Sequence, residues 1–329
     1  MNGSVSHSKS GRASHRHRSP ASHTPTTAGP IVLIQSTGRE MWKRRGITRQ
    51  IYQPPWGRLG YHTRVTKNPL TAAPRLLLLV SALFFGASYF TVRFPDVPGA
   101  GVGSFVSTFL IALPALLALL LYLGSGRAAL AFLALAAFGY AIETTGVATG
   151  LPYGTFFYGD ALGPKLFGLV PYILPISWAP LVLGAVAATA PKVGYGRGDV
   201  RSIAWVIRSA LLLALIDGVL DPGAASLGFW TWPEGGPYYG IPVSNYLGWI
   251  LSGAVATALI LAFGRGKWGR VSPPAGMVDS AVIALAFWVG VAVFSGLLFP
   301  AALGVALFAY LLHRRAGLRA AGRRWDGAV

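Results

Sequence analysis

Asp217 and Asp221 stand four residues apart at the end of a long apolar run. The loop that follows them to Trp249 is built from Gly, Pro and aromatic residues and carries no Lys or Arg. On a helix that spacing puts both carboxyls on one face, with Cβ atoms about 5–6 Å apart. An ionised pair inside an apolar span costs on the order of several kcal/mol, so such residues mark places where a charge or a proton is used. Burial, the like-charged neighbour and the negative end of the helix dipole all oppose two ionised groups here. At least one carboxyl is therefore expected to keep its proton near neutral pH. A protonated carboxyl beside an apolar cavity is a general acid. Glu143 stands in the outer part of an earlier apolar run and can face the same cavity. The structural alternative for these residues is an Asp capping loop amides at a helix end and an inner carboxyl bonded to a neighbouring helix.

The other polar residues read differently. Asp279 falls at the start of an apolar run, where a helix N-terminus favours an anion, so it is expected to act as a cap. Asp160 and Asp199 read as loop residues. Asn245 is either an interhelical hydrogen-bonding group or one that positions water. Aromatic residues crowd the same layer as the carboxyls: Tyr153, Phe156, Phe157, Tyr158, Tyr172, Trp178, Phe229, Trp230, Trp232, Tyr238, Tyr239, Tyr246 and Trp249. An interfacial belt accounts for most of them. A few of the same rings could instead surround a carbocation as they would any cation. There is no Cys, and the six His residues lie in tails or at a helix end. No Walker loop, dinucleotide fingerprint or HExxH motif is present. Neither a metal centre nor a cofactor is expected.

The elements that must position these groups follow from composition. Of 329 residues 53% are hydrophobic and 12% charged, with a mean hydropathy of +0.53. That is too apolar for a soluble domain of this size and points to an all-α, polytopic membrane bundle. Apolar runs of about 20 residues, enough to cross a core of about 30 Å, recur from Leu76 onward. Eight spans are expected: Leu76 to Tyr89, Val102 to Leu123, Ala128 to Thr149, Phe167 to Ala190, Ser202 to Asp221, Val243 to Phe263, Met277 to Leu298 and Ala301 to His313. Phe299-Pro300 separates the last two, which form either a hairpin or one kinked helix. Pro222 is expected to end the fifth span at Asp221. Glu143 and Asp217 would then lie about six and four residues inside their helix ends, at a similar depth of roughly 6–9 Å.

Net charge is +18, but the basic residues sit in the tails and in alternate loops. Arg127, Lys192, Arg197, Arg201, Arg265, Lys267, Arg270 and the cluster Arg314, Arg315, Arg319, Arg323 and Arg324 fall on the side of the N-terminal tail. Only Arg93 and Lys165 fall on the other. That distribution places both termini in the cytoplasm and the chain in the cell membrane as a multi-pass protein. Three regions result: a disordered basic tail over 1–75, a membrane domain over 76–313 and a basic C-terminal tail over 314–329. The N-terminal tail reads as a solvated segment, not a nucleic-acid arm, and lacks the pattern of a secretory signal.

The two outer loops resemble each other. Each has Pro-Tyr followed closely by Gly, then a Pro seven residues before a Trp: Pro171 and Trp178, Pro242 and Trp249. Each also follows a carboxylate-bearing helix, which suggests a parallel helix-loop-helix duplication.

The strings ETTGVATGLPYGTFFY (143–158), PISW ending at Trp178, and DxxxDP with WxWxxGGxYYGIPxxNYxGW resemble the CruF-type membrane carotenoid 1,2-hydratases, the bisanhydrobacterioruberin hydratase-like group. The resemblance covers roughly Leu76 to His313. It implies cofactor-free addition of water across the terminal double bond of a linear carotenoid end group, giving a tertiary alcohol. The expected partners are the carotenoid, water, membrane lipid and other enzymes of the same pathway. Protonating such an alkene needs a buried acid, rings near the resulting cation and one controlled water. Asp217 or Asp221 is then expected as the acid and Glu143 as the base orienting water. Tyr153, Tyr158, Trp178, Trp230, Trp232, Tyr239, Asn245 and Trp249 are expected around the substrate. Two rivals stand beside this reading: a membrane prenyltransferase holding Mg2+ through DxxxD, and a proton-coupled transporter using Glu143 and Asp217.

Overall fold

The computed structural model describes residues 74–95, 97–191, 200–268 and 270–326. The expected basic tail lies outside these residues but for its last two positions, as do Lys192, Arg197 and Asp199. Eight helices follow in order: α1 (Pro74–Arg93), α2 (Ala100–Leu123), α3 (Ser125–Thr149), α4 (Leu174–Thr189), α5 (Val200–Ser226), α6 (Val243–Phe263), α7 (Gly276–Phe294) and α8 (Leu298–Asp326). Six of them, α1, α2, α3, α5, α6 and α7, are long and apolar enough to cross a membrane. Helices satisfy their own backbone hydrogen bonds, which hydrocarbon cannot do. Exposed Leu79, Leu83, Leu110, Leu121, Leu247 and Leu251 give the bundle an apolar exterior, as expected of a helical membrane protein.

α7 is the central helix and packs against α1, α2, α4, α5 and α8. Small residues let its neighbours approach closely. A Cβ on Gly184 of α4 would stand 2.5 Å from that of Ala281, and one on Gly290 would stand 2.0 Å from the Ser88 hydroxyl of α1. α2 and α3 form a tight hairpin around Gly124 alone, whose φ of 83° suits glycine.

Several boundaries differ from expectation. The fourth helix begins at Leu174, not Phe167. Its expected first residues form a loop in which β2 (Lys165–Leu166) pairs with β3 (Val170–Pro171). The last two helices form a hairpin, with the break at Ser295–Leu297. Pro300 sits in the first turn of α8, where no N–H is needed. α8 itself continues well past His313.

α5 does not stop at Asp221 but continues to Ser226 with Pro222 inside it. A proline there cannot donate to the Gly218 carbonyl one turn back. The Tyr238 hydroxyl donates to that carbonyl instead, at 2.8 Å, so the freed acceptor is paired and the helix holds. Asp279 is also not a cap, since Ala275 precedes the helix and no side-chain cap bond forms. Asp279 is buried in an ion pair with Arg315 of α8, whose second nitrogen donates to Oδ2 at 2.9 Å.

The loop after α3 and the loop after α5 meet at one end of the bundle. Residues Phe157–Tyr158 (β1) pair antiparallel with Trp230–Thr231 (β4), with Tyr158 opposite Trp230. At the opposite end Lys267 donates to the Tyr122 carbonyl and Arg314 to those of Ala188 and Ala190.

Candidate active site

Glu143 projects from α3 and is buried. Its Oε2 accepts a hydrogen bond from the Tyr158 hydroxyl at 2.8 Å, and the Tyr153 hydroxyl lies within reach of it and of Ser252. Asp221, on α5, accepts from Trp230 Nε1 at 3.1 Å and from Asn245 Nδ2 of α6. The same Asn245 nitrogen donates to Asp217 Oδ2 at 3.2 Å, and the two aspartates are within hydrogen-bonding reach of each other. Apart from the aspartates themselves, these partners are neutral. Two of the donors that hold the carboxyls, Tyr158 and Trp230, are the facing residues of the β1–β4 ribbon, and their rings meet edge to face at 5.9 Å.

Extending α5 past Pro222 changes the depth argument. Glu143 lies six residues before the end of α3 and Asp221 five before the end of α5, about 9 and 8 Å at 1.5 Å per residue. Asp221, not Asp217, is the depth partner of Glu143, and Asp217 lies one turn deeper.

Tyr153 is wedged between α3 and α6. A Cβ on Gly146 would stand 2.8 Å from its ring and one on Gly248 2.5 Å, so both helices need glycine there. Its carbonyl accepts from Trp232 Nε1 at 3.3 Å. Burial first, and then the nearby Glu143, push the phenols of Tyr153 and Tyr158 well above the ordinary tyrosine value. Both hydroxyls therefore stay donors at any physiological pH.

These groups border a cavity of about 1440 Å3, larger than the roughly 300–1,000 Å3 typical of small-ligand pockets. Glu143, Asp221, Asn245, Tyr153, Tyr158, Trp178, Trp230, Trp232 and Trp249 all line it. Trp178 and Trp249, paired in the proposed duplication, lie in the second turns of α4 and α6. Two of the expected site residues do not line it. Asp217 is buried without reaching it, and Tyr239 is 43% exposed, with its hydroxyl accepting from the Phe299 amide at 3.4 Å. Phe105 of α2 and Trp288 of α7 line the cavity but were not singled out in the sequence. Inside long apolar runs they look like any lipid-facing ring.

Fold and site together define a helical membrane protein with a buried acidic centre in an apolar, aromatic-walled cavity. A family model described as carotenoid biosynthesis protein matches residues 100–311, and the chain belongs to that family. It is 41% identical over 211 residues to bisanhydrobacterioruberin hydratase of Haloarcula japonica, a match that covers 62% of this chain and 69% of that protein. The resemblance read from the motifs is thereby borne out. No solved structure matches the chain.

Proposed function

We propose that this protein is a carotenoid hydratase of the cell membrane, adding water to the terminal double bond of a linear carotenoid end group to give a tertiary alcohol. The observation that carries this reading is that Glu143 and Asp221 line one apolar cavity and are braced by one ribbon. Lycopene, γ-carotene and a C50 precursor all present such an end group. The similarity to a protein named bisanhydrobacterioruberin hydratase supports the class.

Asp221 is the acid in this mechanism because it reaches the cavity, while Asp217 does not. Its O–H bond breaks as a new C–H bond forms at the CH carbon of the terminal double bond, leaving a tertiary cation on the dimethyl-bearing carbon. The faces of Trp230, Trp232 and Trp249 can stabilise that cation before water arrives. Glu143, fixed by Tyr158, accepts a proton as water oxygen bonds to the cation. The reaction needs no redox change. The two N–H donors on Asp221 occupy oxygens that a Mg2+ would need, so the prenyltransferase reading fits this donor set less well.

The test is pigment analysis of a lycopene-producing host that expresses the chain. A product heavier by one water is expected, and Asp221→Asn should lower its yield at least about 100-fold. Undiminished product in that variant removes Asp221 from the reaction. No hydrated product from the wild type removes the function.

A further inference from the structure

Three buried side-chain atoms among the described residues have no hydrogen-bond partner, and two of them, Asp217 Oδ1 and the Tyr246 hydroxyl, belong to the same corner of the site. Tyr246 follows Asn245 on α6, and its hydroxyl lies within electrostatic range of Asp221, Asp217 and Tyr238. Tyr238 packs edge to face on its ring at 5.7 Å and spends its own hydroxyl on Gly218. We propose that Asp217 Oδ1 and the Tyr246 hydroxyl hold one water molecule, and that this water returns a proton to the aspartate pair after each turnover.

The chemistry of the two atoms suits one water. A carboxyl oxygen accepts a hydrogen bond and a phenol donates one, and a water molecule placed between them answers both. Isolated buried polar atoms are rare because each gives up its bonds to solvent, so two in one corner call for a shared partner. Asp217 also has the position of a relay. It does not line the cavity, yet Asn245 bonds it and Asp221 through one nitrogen.

The proton balance requires such a step, and here the inference rests on the hydratase reading. Each turnover leaves Asp221 without its proton and Glu143 with one from water. The bridging water gives a proton to Asp217, which shares it with Asp221, and takes up in turn a proton from solvent, to which Glu143 releases its own, so the water is restored and no proton is gained or lost. The titratable and polar groups facing this corner are Asp221 on α5, Tyr246 and Asn245 on α6, Glu143 on α3, and Tyr153 and Tyr238 from the loops. Asp217 is thus a positioning and proton-holding residue.

Two measurements on the detergent-solubilised full chain test this. The first is thermal unfolding of Tyr246→Phe, Asp217→Asn and the double variant. Deleting a hydroxyl that holds a water lowers the melting temperature, and the two substitutions are non-additive because they share that water. An unchanged or raised melting temperature in Tyr246→Phe, or strictly additive effects, overturns the water site whatever reaction the protein performs. The second is rapid-mixing hydration of a linear carotenoid by Tyr246→Phe. A first turnover at the wild-type rate followed by turnovers slowed about tenfold or more is expected. Equal slowing of the first turnover, or no slowing at all, overturns the relay. If the wild type hydrates nothing, the proposed function fails, and the melting temperatures alone decide the water site.

Discussion

Glu143 and Asp221 are held by different chemistry, and that difference decides what each substitution should do. Glu143 accepts from a phenol that remains a donor, because burial keeps the Tyr158 proton in place. Asp221 accepts from an indole and an amide, which are donors at any pH. Tyr158→Phe removes the bond to Glu143 while keeping the ring against Trp230. We expect hydration to fall about tenfold in that variant with little change in substrate KM, which steady-state assay of the purified protein would check. A rise in KM with kcat intact would instead make Tyr158 a binding residue. At this scale the sequence showed much of the site. Charged residues in apolar runs are conspicuous, so Glu143, Asp217 and Asp221 stood out together. Their ranking was not legible, because it depends on whether α5 ends at Pro222. That in turn depends on Tyr238, sixteen residues further on, rescuing one carbonyl.

The elements were legible where apolar length alone defines them. α2, α3 and α6 lie close to their expected spans, since in lipid the backbone has no better alternative than a helix. The start of α4 was not legible, because Phe167 and Leu169 are apolar yet fold into the turn between Leu166 of β2 and Val170 of β3. Asp279 was misread for a related reason. A helix N-terminus and a distant Arg315 both suit a carboxylate, and only the packing of α8 on α7 chooses between them. That ion pair is buried at both partners, so removing one leaves the other uncompensated. Arg315→Ala should cost about 3–5 kcal/mol of stability and lower the melting temperature measured in detergent. Asp279→Asn with Arg315→Gln should recover part of the loss, because no lone charge remains buried.

At the scale of the whole molecule, the cavity continues from the carboxyls to the link between α1 and α2. There Phe94, Val97, Val102 and Val106 are both lining and exposed. An exposed apolar mouth on a membrane protein suits a substrate that slides in from lipid with its end group leading. Gly103 lines this mouth, and a side chain there would meet nothing within 4 Å. Gly103→Trp should therefore leave folding intact while raising KM for a full-length carotenoid severalfold, as titration of initial rates would show. The ribbon holds a further consequence. Tyr158 and Trp230 face each other in one antiparallel register, and each grips one of the two carboxyls. The separation of the two carboxyls is thus written in strand pairing as much as in helix packing. Side chains alternate faces along a strand, so a one-residue insertion between Gly150 and Tyr158 would turn the phenol away from Glu143. The two loops must change length together or not at all, and a pair of loops so constrained behaves as a single calliper.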